Sequence, residues 1–238
     1  MDTFAPALEH GQLQEVLPGI FFVTGAMKTM LMGSHWHFSR NMTVVRQGDE
    51  LTLINAVRLD SAGLAQLDTL GRVTHVMKIG SLHGRDDPFY VDRYGATFWA
   101  LPGMAHEGGL QPQRELVEGG PLPISGASLF AFHTTKLPEG IVRLDTAGGV
   151  LIACDALQNW VRHDEFFSDE SRQTMTSMNF FQHANCGPLW MQVTEPRADD
   201  FARLIQLDFR HVLCGHGEPL LDTAQPAFTA RFQSLIGV

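Results

Sequence analysis

The chain has 238 residues, enough for one large domain with a sizeable core. Its net charge of -9 and its lack of any basic run leave no footprint for nucleic acid, and no apolar run reaches membrane-spanning length. The N-terminus shows no basic-then-apolar leader, and the three cysteines, Cys154, Cys186 and Cys214, have no CxxC spacing. A sparse, odd count of this kind is expected in a reducing, cytoplasmic setting rather than in a disulfide framework.

Residues 16–25 read as an opening strand bounded by Pro and Gly. Residues 27–40 read as a loop rich in Met, Gly and His, with His35 and His37 alternating about Trp36. Two apolar runs flank Gln47-Gly48-Asp49 over 41–57, a hairpin pattern. Leu59, Leu64, Leu67 and Leu70 lie at helical spacing behind Asp60-Ser61, which predicts a short capped helix. A buried strand over 73–79 runs into Gly80-Ser81-Leu82-His83-Gly84-Arg85-Asp86-Asp87-Pro88, where Asp-Asp-Pro can start a brief helix over 89–93. A strand over 97–101 follows, then an exposed Gly- and Pro-rich connection over 107–123.

The second half repeats this plan. A strand is expected at 127–132, and a hairpin pairs 140–144 with 150–154 around Ala147-Gly148-Gly149. Residues 158–186 are polar and aromatic and partly helical. A strand is expected at 190–193, a helix at 198–208, a strand at 211–214 and a closing helix at 224–236. No linker composition divides the chain, so residues 1–238 read as one domain of two similar halves: two sheets face to face with helices outside.

The stretch GGVLIACDALQN, 148–159, ends an apolar run on Asp155. A carboxylate there is costly to bury without a partner, so it either caps a turn or faces a cation. His216 sits between two glycines in VLCGHGEPL, where the backbone can approach closely on both sides. His83 stands beside Asp86 and Asp87, as an exposed residue or as a ligand; the aspartates are ligands or helix caps. His75, within a strand, is expected in the core or at a sheet edge, and His163 with Asp164 and Glu165 on a solvated helix face. Cys154 and Cys214, which end apolar runs, read as packing, and Phe166, Phe167, Phe180 and Phe181 as core or as an exposed dimer contact. No GxSxG elbow, P-loop or GxGxxG occurs.

The segments 41–57, 73–87, 140–157 and 211–220 together resemble the metallo-β-lactamase fold of α/β proteins, a four-layer αββα sandwich. GGVLIACDALQN resembles that family's strand ending on a metal-bridging Asp, and VLCGHGEPL its last metal-binding loop. The family's HxHxDH loop is degenerate. Without gaps its positions fall on Gly80, Leu82, Gly84 and Arg85; shifted by one they fall on Ser81, His83, Arg85 and Asp86. The position of a further metal-binding His carries Lys136. The resemblance implies two alternatives. One is a hydrolase of a small ester, amide or thioester, with one divalent metal (Zn, or Fe or Mn) on His83, Asp86 or Asp87, Asp155 and His216. The other is a metal-free member that binds a small ligand or partner and has a Lys136–Asp155 ion pair in place of the metal.

Overall fold

The computed structural model describes residues 4–237. Strands β1 (Gln14–Leu17), β2 (Ile20–Leu31), β3 (Ser34–Gln47), β4 (Glu50–Ile54), β5 (Arg72–Lys78), β6 (Thr97–Ala100) and β7 (Arg114–Glu115) form one sheet in that order. Strands β8 (Ala127–Ala131), β9 (Gly140–Leu144), β10 (Val150–Ile152) and β11 (His211–Leu213) form the second, in the order β11-β10-β9-β8. Helices α1 (Ser61–Leu70) and α2 (Asp87–Tyr94) belong to the first half; α3 (Asp169–Ser177), α4 (Pro188–Thr194), α5 (Ala198–Leu204) and α6 (Ala224–Ile236) belong to the second.

The sandwich follows from strands that are apolar on both faces. Along β10, Val150 and Ile152 join the core between the sheets, with Leu53, Met77, Val142 and Leu213. Leu151 and Ala153 point the other way, into a second core with Trp190, Phe201, Phe228 and Phe232 of α4, α5 and α6. The period-two alternation of a strand thus feeds two apolar layers at once. Asp60 caps α1 as expected, accepting the Gly63 N–H at 2.8 Å.

Two expectations fail locally. The supposed loop over 27–40 is instead the far part of a long hairpin: β2 and β3 stay paired out to Leu31 and Ser34. Met, Thr, His and aromatic residues alternate there well enough to sustain a ladder. The segment expected as a strand at 190–193 is α4. Pro188 occupies its first turn, and Trp190 and Thr194, one helical turn apart, are its buried residues.

Three of the four phenylalanines are not a free patch, and the fourth, Phe166, is half-buried beside a cavity. Phe180 is buried, and Phe167 and Phe181 pack onto a third small core made by Trp36, Trp160, Met175 and Phe180. Among the described residues, no helix is long and apolar enough to cross a membrane.

Candidate metal centre

Strands β10 and β11 run side by side and parallel, so the residues that follow them emerge together at one rim. This brings Asp155 and His216 into contact, with His216 Nε2 3.2 Å from Asp155 Oδ1. The loop after β5 adds His83 from the other sheet. Its Nε2 lies 3.0 Å from His216 Nε2 and 3.4 Å from Asp155 Oδ2. Expected near the surface, the His83 side chain is only 7% exposed.

Buried amides lock the rim. Asn41 on β3 donates from Nδ2 to the carbonyls of Cys214 at 3.0 Å and Gly217 at 2.7 Å. Asn55 donates to the Ala153 carbonyl at 3.0 Å. Each ties the first sheet to a loop that carries a site residue. Gly217 has φ +86°, and a Cβ there would lie 2.2 Å from the Asn159 carbonyl carbon. Only glycine lets this backbone close beside His216.

The orientation of His216 fixes its chemistry. Its Nδ1 lies 2.9 Å from the Ser39 carbonyl oxygen, which can only accept, so Nδ1 is assigned the proton. In the neutral ring the lone pair then sits on Nε2, directed at Asp155 and His83. Trp160 backs the ring at 4.7 Å between centroids and donates its indole N–H to Ser39 Oγ at 3.1 Å. An imidazole anchored in this way through its other nitrogen is the usual arrangement for a metal ligand.

Burial pushes the His83 imidazole down to about 3, so it is neutral. Burial pushes the Asp155 carboxyl up, but a proton on the facing nitrogen of His83 or His216, with the Cys154 thiol, outweighs it and holds the group below the ordinary carboxylate range. A metal would take the place of that proton, bound by neutral imidazoles and an ionised carboxylate. The two imidazole nitrogens lie 3.0 Å apart and each faces a different Asp155 oxygen, Oδ1 at 3.2 Å from His216 and Oδ2 at 3.4 Å from His83, close to the edge of about 3.3 Å between ligands that sit about 2.0–2.1 Å from a tetrahedral zinc. Two imidazoles and a carboxylate suit Zn, Fe(II) or Mn.

Cys154, expected from the sequence only to pack, and Glu139, which sequence reasoning passed over, complete the surroundings. The donor atoms of His83, Cys154 and Asp155 all lie within 4.8 Å of one another. The Cys154 thiol is pushed well up by burial and donates to Asp155 Oδ2 at 3.6 Å. Glu139, fully buried, accepts the backbone N–H groups of Asp155 at 3.0 Å and Ala156 at 3.1 Å. A Cβ on Gly80, the first position of the degenerate motif, would lie 2.4 Å from Cys154 Sγ and 2.9 Å from Glu139 Oε2. That space is filled, and no ligand side chain could stand there.

The remaining expected site residues lie elsewhere. Lys136 is 61% exposed and pairs with Glu195. The expected Lys136–Asp155 pair does not form, because the backbone N–H of Lys136 is bonded to the Thr194 carbonyl and its side chain runs out along the surface. Asp86 is neither a ligand nor a side-chain cap. It forms a buried ion pair with Arg40 and accepts the Arg58 N–H at 2.6 Å. Asp87 is buried against Lys78 and Gly84, away from the cluster, and its oxygens have no hydrogen-bond partner among the described residues. His75 accepts from the Trp99 indole at 3.2 Å, and His37 lies on β3. His163 is exposed and not helical. It lines a separate cavity of 690 Å³ on the other side of Trp160, which the donor cluster does not reach.

No known family profile matches the chain, and no curated protein does. Solved structures do. A metallo-β-lactamase from Hirschia baltica is 16% identical, with 96% of this chain and 98% of that one covered at a TM-score of 0.58. FIM-1 from Pseudomonas aeruginosa, in its mono-zinc form, is 14% identical over 97% and 96% at 0.59. A metallo-β-lactamase from Erythrobacter litoralis is 15% identical over 94% and 96% at 0.59. Likeness at this level of identity shows the fold.

Proposed function

We propose that this chain, which has the metallo-β-lactamase fold, is a hydrolase that holds one divalent metal, zinc first, on His83, Asp155 and His216. The observation that carries this reading is the contact between His216 Nε2 and Asp155 Oδ1 at 3.2 Å. With the His216 proton on Nδ1, that contact sets one acceptor against another. A proton on His83 Nε2 can serve its contact to His216 or its contact to Asp155 Oδ2, and in either case leaves His216 Nε2 against Asp155 Oδ1 unrelieved. A cation bound among the three side chains relieves that contact.

A bound metal would polarise a carbonyl oxygen and lower the pKa of a bound water toward neutrality. The chain's own residues do the rest. Ser39 holds the His216 ring in the ligating tautomer. Glu139 fixes the backbone from which the Asp155 carboxylate projects. Cys154 donates to that carboxylate from behind. Trp160 and Phe38 flank the His216 ring and shield it from water. The side chains at Gly80 support a single metal rather than two, since Cys154 and Glu139 fill the room there. The substrate class is a small ester, amide or thioester. Water adds across the acyl bond: its hydroxyl goes to the acyl carbon and its remaining proton to the leaving oxygen, nitrogen or sulfur.

The test is turnover of a small panel of aryl esters and thioesters by chain reconstituted with one equivalent of zinc. Hydrolysis should vanish on chelation, return with zinc, and be absent in His216→Ala. Turnover that is indifferent to chelation would remove the reading.

A further inference from the structure

We infer, resting on the hydrolase reading above, that the substrate is an amphiphile. Its hydrolysable head sits at the His83–Asp155–His216 cluster, and an unbranched apolar chain lies along the β2–β3 hairpin. The cluster forms the floor of a cavity of 440 Å³, within the usual size of a small-molecule site. Above the floor the walls are mainly apolar, with Thr29, Gln158 and Gln192 the uncharged polar residues among them. Met27, Leu31 and Met32 of the hairpin form one side, and Leu189 and Val193 of α4 face them across it. Trp36, Phe180 and Met175 close the end and are themselves buried, so this wall is rigid rather than loosely draped.

The apolar surface continues out of the cavity. Nine large hydrophobic residues are exposed among the described residues, and four of them, Leu31, Met32, Leu82 and Val193, line this one cavity. Met30 and Met32, at the hairpin tip, are 57% and 66% exposed. Isolated exposed apolar residues need no explanation, but a cluster continuous with a polar floor does. Flexible methionines suit a chain of variable length. The cations offer no competing account: Arg40 is committed to Asp86, and Arg85 donates to the Lys28 carbonyl at 3.0 Å. What the cavity leaves for recognition is a polar floor and a long apolar wall, which is the pattern of a hydrolysable group on an alkyl chain.

The test is isothermal titration calorimetry of the full chain with 1-alkanols from butanol to decanol, below their aggregation limits, with zinc bound and after chelation. A neutral head reports the wall without a charge at the floor. Affinity should rise by up to about fourfold per methylene until the cavity is filled, with the same slope in both metal states. Met32→Ser and Leu82→Ser, both at exposed positions, should flatten the slope for the longer alcohols only. Affinity that is independent of chain length, or a slope unchanged in both variants, would overturn the inference. So would a dimer in sedimentation that Met32→Ser disperses, together with no alcohol binding by calorimetry. A steep slope in a chain that turns over no ester would retain the apolar site and remove the hydrolase reading; turnover with a flat slope would do the reverse.

Discussion

Glu139 Oε1 accepts the backbone N–H of Asp155 at 3.0 Å and of Ala156 at 3.1 Å, in a place that water does not reach. The carboxyl group at one strand's start, pushed well up by burial and by Asp155, thus holds the turn that presents the carboxylate at its neighbour's end. Removing it would leave two buried N–H groups unpaired, each costing about 1–3 kcal/mol. Glu139→Ala should therefore destabilise the fold by about 2–6 kcal/mol in urea unfolding. Glu139→Gln, which keeps an acceptor oxygen, should lose much less. Equal losses in the two variants would show that the acceptor is not what matters at this position.

Arg40 and Asp86 form an ion pair with both side chains under 10% exposed, at 7% and 8%. Breaking a pair of this kind typically costs about 3–5 kcal/mol, because the surviving charge stays buried. Arg40→Met should show that loss, and Arg40→Met with Asp86→Leu should recover much of it. A double variant no more stable than the single one would mean that Asp86 is needed chiefly for the Arg58 N–H it also accepts.

Asp87 gives the protein a pH dependence of known sign. Burial pushes its carboxyl up to about 7, only partly offset by the Lys78 ammonium, while Asp86 adds to the rise and Arg40 opposes it. Between the ordinary value of 3.8 and about 7 the folded chain holds a proton that the unfolded chain has released. Stability from this group therefore falls as pH rises through that window, by at most about 4 kcal/mol. Asp87→Asn should gain stability relative to the parent between pH 4.5 and 7.5 in paired thermal melts. A constant difference across that range would contradict the assignment.

The fold was legible because the apolar runs of β5, β9, β10 and β11 are continuous and their turns carry Gly, features that depend on nearest neighbours alone. The Asp155–His216 contact was legible for the same reason, since both residues end adjacent apolar strands. What was not legible depends on contacts distant in sequence. The His83 side chain is buried against the His216 ring, edge-on at 4.9 Å between centroids, and nothing in GSLHGRDD says so. Asp86 next to Asp87 read as a pair of ligands or caps, but Arg40, 46 residues earlier, claims the first. Lys136 was given to Asp155 by its position before β9, yet a free surface and Glu195 were closer at hand. Glu139 gives one signal, a lone carboxyl group between Pro138 and a strand entering the core, and that signal fits a surface loop equally well.

The central claim is that His83, Asp155 and His216 hold one metal ion. It is tested most directly by the metal content of chain purified without chelator and measured by inductively coupled plasma mass spectrometry. The account predicts about one zinc, iron or manganese per chain in the parent and in Lys136→Met, whose side chain lies on the surface. It predicts far less than one in His83→Ala and in His216→Ala. A parent chain that stays metal-free after equilibration with excess zinc would contradict it.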